Sequence, residues 1–128
     1  MRSVDALIKA EPGENRRKFG HRGQTFVNAS VAARDVLLEL YDLRGAVEHL
    51  NVPTDLFSSG TDAERKERVN RRTRQADALA RFTIVRILES DLMFETFKTD
   101  RQIGEFWQLD DRTRAALWGG RLDLLSVS

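Results

Sequence analysis

Few residues in this chain can do chemistry at neutral pH. There are two histidines, His21 and His49, and no cysteine. Without cysteine there is no disulfide and no thiolate metal site, which suits a reducing compartment and a cytoplasmic placement. Two histidines far apart, with no HExxH and no Asp-rich loop, make a poor metal site, and no resident cofactor is expected. No glycine-rich phosphate loop is present, and no serine stands in a nucleophile-elbow context. Asp35, Asp110 and Asp111 have ordinary explanations as helix caps or surface carboxylates. By elimination, the remaining constellation is Arg44 with His49, in the stretch LYDLRGAVEHLN from Leu40 to Asn51. An imidazole titrates near neutrality and can move a proton. A guanidinium can hold a phosphate and neutralise charge on its oxygens.

The element that must position this pair is a helix of about 20 residues within Asn28 to Asn51, capped by Asn28 or Ser30. Val36, Leu40, Leu43, Val47 and Leu50 recur at steps of four and three, which draws one apolar stripe for the core. Leu37, Leu38 and Tyr41 lie roughly opposite, where a surface helix would be charged. A helix apolar on two sides is covered on both. The cover is either another part of the chain or a second copy, and the second face predicts a homodimer built on this helix.

LYDLRGAVEHLN resembles the signature of HEPN domains, small helical modules in which Arg, four to six residues and then His follow an aromatic-containing helix. ADALARFTIVRILESDLMFETFK, from Ala76 to Lys98, is similar to the later helix of the HEPN branch common in bacterial defence proteins. Together the two segments cover about a quarter of the chain. The resemblance implies metal-independent RNA cleavage, in which a ribose 2′-OH attacks the adjacent phosphorus and leaves a 2′,3′-cyclic phosphate. It implies a site at a two-fold dimer interface, with Arg44 as phosphate clamp and His49 as acid–base, and allows for the chain being one domain of a larger protein. The same spacing occurs at Arg16 to His21; what separates Arg44 and His49 is the helix around them. Gly45 stands where the family often has a small polar residue, and Glu48 sets a carboxylate beside the histidine.

Residues five apart on a continuous helix point about 140° from each other. Two arrangements can still bring Arg44 and His49 onto one substrate. Gly45 can relax the helix locally, or a second protomer can supply the missing partner. The plain alternative gives both residues structural jobs: Arg44 pairs with Glu48 or a neighbouring helix, and His49 ends its own helix. The module would then be catalytically inactive and would serve dimerisation or partner binding.

The rest of the chain reads as a single all-α domain over 1–128, with two long antiparallel helices and shorter ones packed on them. Net charge is +1, so an RNA-binding role needs a local patch. Residues 1–24 read as a short helix followed by a mobile basic arm, ENRRKFGHRG, broken by glycine. Residues 52–60 are a loop, and Thr61 with Glu64 forms a capping box for a helix from Asp62 to Glu89. The expected seam of that helix is Val69, Thr73, Ala76, Ala80, Thr83 and Ile87, with its second half apolar nearly all round. Arg65, Arg68 and Arg72 share one flank of its first half and are the candidate RNA-binding residues; i,i+4 pairs such as Glu64–Arg68 are the ordinary alternative. Capping patterns at Thr99 and at Asp110 or Asp111 start two short helices, and 121–128 reads as a frayed tail in which Leu122, Leu124 and Leu125 could dock. No apolar run approaches a membrane span, and the first residues lack the form of a signal peptide.

Overall fold

A computed structural model describes residues 2–8, 15–48 and 59–127. Among them the chain is an all-α bundle of seven helices: α1 (Arg2–Ile8), α2 (Asn15–Gly23), α3 (Val31–Glu48), α4 (Asp62–Glu89), α5 (Asp91–Thr96), α6 (Asp100–Gln108) and α7 (Asp111–Trp118). No described helix is long and apolar enough to cross a membrane.

The start of α3 is fixed by Ser30, whose Oγ accepts from the Ala33 amide at 3.0 Å. Val36, Leu40 and Leu43 are buried as the periodicity requires. Val47 and Leu50 lie outside the residues whose side chains are described. The opposite face is not open. Leu37 is fully buried, and Leu38 and Tyr41 are half-buried, because α2 lies across them.

The α2 segment overturns the expectation of a mobile arm. Its sequence has weak intrinsic helicity, so tertiary contact must supply what propensity does not. Phe19 is buried with its ring 5.6 Å from that of Tyr41. Gly20 and Gly23 let the backbone approach closely: a Cβ at Gly20 would sit 2.7 Å from Leu38, and one at Gly23 would sit 3.1 Å from Leu37. Arg16 clasps the Asp42 carboxylate with two hydrogen bonds of 2.9 and 3.0 Å. Arg22 donates to the Ile8 carbonyl at 2.6 Å and lies over the Trp107 ring. The face taken to invite a second copy is therefore covered by the chain itself.

In α4 the capping box of Thr61 and Glu64 is formed, and the helix spans the residues its pattern predicts. Most of the expected seam faces the core: Thr83 is buried, and Ala76, Ala80 and Ile87 are partly buried against it. Gln75 and Leu79 join the buried face beyond the expected set, whereas Thr73 is exposed and its hydroxyl donates to the Val69 carbonyl. Ile84, Val85 and Leu88 face solvent, against the expectation that the second half is buried all round.

Two sets of contacts fix the direction of α4 against α3. Trp118 packs on Phe26, just ahead of α3, and on Phe82 late in α4. Glu39, farther along α3, meets Arg72, earlier in α4. The long helices run antiparallel.

Ser90, Thr99 and Asp110 each cap the following helix with a side-chain oxygen. Phe97, Phe106, Trp107 and Trp118 from this half join Phe26 in the core. The tail is docked rather than frayed. Leu122 forms a parallel bridge with Val27, Leu124 is buried in a 3₁₀ turn, and Gln75 Nε2 donates to the Leu124 carbonyl at 3.1 Å. Those exchanged backbone bonds give Leu122 and Leu124 an anchor that the end of a chain otherwise lacks.

Candidate functional site

Arg44 stands near the C-terminal end of α3, which continues through Gly45 to Glu48 without a break. Its guanidinium lies 4.7 Å from the centre of the Tyr41 ring, one turn earlier. Tyr41 is itself seated against Phe19, so α2 sets the platform on which Arg44 rests. Arg44 is half-buried. His49, and the Glu48 side chain proposed to pair with Arg44, lie outside the described residues.

The three arginines expected to meet phosphates all reach internal acceptors. Arg65 pairs with Asp62 and donates to the Gly60 carbonyl at 2.8 Å. Arg68 donates to the Ser59 carbonyl. Arg72 donates through Nε to Glu39 at 2.5 Å and through Nη1 to Gln75 Oε1 at 2.8 Å. Its side chain is only 18% exposed, inside the α3–α4 contact rather than on the surface flank. Arg65 and Arg68 keep their stations beside the α4 N-terminus; Arg72 has a packing role that the flank pattern does not show. The i,i+4 pairs proposed for this stretch are replaced by others: Glu64 serves the cap, and Glu67 meets Arg74 at 3.4 Å.

A second cluster was not foreseen. His21, on α2, places Nε2 3.3 Å from Oδ1 of Asp111, the first residue of α7. Arg114 donates to the same carboxylate. The pair borders a groove of about 190 Å³ lined also by Gln24, Thr25, Ala29, Ala115 and Arg121. Ninety positions separate the two partners, so no local spacing could announce them. Asp110, next in line, keeps the capping role expected of it; its bond from the Thr113 amide holds the carboxyl below the ordinary carboxylate range. No group of three His, Asp, Glu or Cys among the described residues is placed to hold a metal ion.

No family model, curated protein or solved structure matches the chain. Arg44 rests on the Tyr41 ring five positions before His49 in the sequence. His21 with Asp111 is an imidazole–carboxylate pair open to solvent, with side chains 58% and 70% exposed.

Proposed function

We propose that the chain is a HEPN-type, metal-independent endoribonuclease module, with Arg44 as phosphate clamp and His49 as acid–base. The observation that supports it is the seat of Arg44: a half-buried guanidinium against Tyr41, at the end of an unbroken helix and five residues before the histidine. Fixing a cation before substrate arrives lowers the cost of stabilising charge that develops on the phosphate oxygens. His49 takes the proton from the ribose 2′-OH, and that oxygen bonds to phosphorus. The bond from phosphorus to the 5′-oxygen breaks, and the leaving oxygen is protonated by the imidazolium. The products are a 2′,3′-cyclic phosphate and a free 5′-hydroxyl. Arg65 and Arg68 beside the α4 N-terminus would guide the strand.

The test is cleavage of a generic RNA in EDTA. Wild type should cut, whereas Arg44→Ala and His49→Ala should each lose at least about a hundredfold in rate. Equal cutting by all three would end this reading.

A second reading is favoured by a separate observation. Five large apolar side chains, Ile84, Val85 and Leu88 on α4 with Leu92 and Phe94 on α5, are exposed. Such a grouping suits a helical module that binds a partner or a second copy of itself.

A further inference from the structure

The exposed face of α4 carries a charge pattern that selects its occupant. Ile84, Val85 and Leu88 are 41%, 42% and 68% exposed, and Leu92 and Phe94 on α5 are 58% and 46% exposed. Arg81 and Glu89 lie at the two ends of the α4 patch, four residues before and four after Val85. Both are exposed, and neither forms an ion pair or hydrogen bond among the described residues. Some other charges on this surface are paired internally, as with Arg65 and Asp62, Arg74 and Glu67, and Arg101 and Glu105, whereas Lys66, Arg71 and Asp77 of α4 are exposed as Arg81 and Glu89 are.

Antiparallel packing of two identical helices about a two-fold axis exchanges residues placed symmetrically about that axis. With the axis at Val85, the two Val85 side chains meet, Leu88 of one copy falls opposite Phe82 of the other, and Ile84 falls opposite Arg86. The same operation sets Arg81 of each copy opposite Glu89 of its partner, twice. A parallel arrangement would bring like charges together instead. The apolar centre with a complementary charged rim is the usual anatomy of a protein contact.

We propose that this face is a self-association surface, in which two copies pair antiparallel along the second half of α4 with reciprocal Arg81–Glu89 ion pairs. This rests on the partner-binding reading and is independent of the nuclease one. It also moves the dimer from α3, whose second face α2 covers, to α4. Arg44 is then remote from the two-fold axis. Glu39 meets Arg72, and Arg44 lies farther along α3; the 13 residues from Arg72 to Val85 alone span roughly 20 Å of helix.

Sedimentation equilibrium up to about 200 µM, a range suited to a small interface, tests the pairing with three variants. Wild type should dimerise, and Leu88→Asp should be monomeric with unchanged circular dichroism, since the residue is exposed. Arg81→Glu alone and Glu89→Arg alone should each weaken dimerisation by at least about tenfold, because like charges then face each other twice. Mixing those two proteins should restore association as a heterodimer, because every rim pair is again of opposite sign. A wild type that stays monomeric overturns self-association, leaving the face to a foreign partner. A dimer that Leu88→Asp dissolves, but whose charge variants do not rescue each other, keeps the partner-binding reading and overturns the antiparallel register.

Discussion

Arg72 and Glu39 tie the two long helices together, with Nε of one 2.5 Å from Oε2 of the other and side chains 18% and 27% exposed. Gln75 accepts a second bond from the same guanidinium and passes its own amide to the Leu124 carbonyl. One network therefore joins α3, α4 and the C-terminal turn. Removing one charge leaves the other partly buried and uncompensated. Arg72→Met should lower the unfolding free energy by about 2 kcal/mol. Adding Glu39→Leu should cost less than the sum of the single changes. Urea melts of the four proteins measure this, and a loss below about 0.5 kcal/mol for Arg72→Met would place the pair among weak surface contacts.

The same network changes how the basic stretch is to be tested. Reversing Arg65, Arg68 and Arg72 together would confound binding with folding. Arg65→Glu with Arg68→Glu should leave the melting curve within a few degrees of wild type while weakening RNA binding. Wild-type affinity should fall as salt rises, through counterion release. An affinity unmoved by both changes would return these arginines to capping and loop support.

The contact between α2 and α3 depends on a missing side chain. Gly23 is buried, and a Cβ there would lie 3.1–3.2 Å from three-dimensionally confined Leu37, which is fully buried. Gly23→Val should destabilise by about 2 kcal/mol through overpacking. Hydrogen exchange should show α2 amides losing protection first. Unchanged protection would mean that α2 does not depend on this close approach.

Acid should act on the α7 cap. The folded-state pKa of Asp110 lies below its unfolded value because the carboxylate accepts from the Thr113 amide. Its stabilisation is complete above the unfolded value, about 4, and is lost as pH falls through the lower folded value. Asp110→Asn keeps an acceptor without the charge, so its melting temperature should depend less on pH across that window. Parallel melting curves for both proteins between pH 5 and the acid limit would exclude the cap as a contributor; the endpoints are set roughly by ordinary carboxylate titration.

If pairing runs along α4, cleavage should not arise from a site shared between chains. Mixed Arg44→Ala and His49→Ala proteins should then remain inactive after subunit exchange, although each supplies the residue the other lacks. Recovery of activity would demand a different interface, one that brings Arg44 of one copy to His49 of its partner.

Local pattern made most helices legible. Thr61, Thr99 and Asp110 each place a short oxygen-bearing side chain before a periodic run, and all three cap a helix. For α4 the start follows from the box of Thr61 and Glu64. The failures share a cause. Asn15 to Gly23 is polar, basic and twice interrupted by glycine, so its own chemistry argues against a helix. It becomes one because Phe19, Gly20 and Gly23 fit against Leu37, Leu38 and Tyr41, a complementarity that no window of the sequence contains. The same holds for the tail, held by Val27 and Gln75, and for His21 with Asp111.

The sequence by itself determined the class of the fold, the extent of α4, the apolar stripe of α3 and the candidacy of Arg44 with His49. Each follows from neighbours within one or two helical turns, where spacing fixes direction. Only the tertiary structure decided that the second face of α3 is covered from within and that Arg72 braces two helices. It also decided that Ile84, Val85 and Leu88 are exposed among the described residues. Helical periodicity says which residues share a side; which side meets solvent is settled by elements far away in the chain.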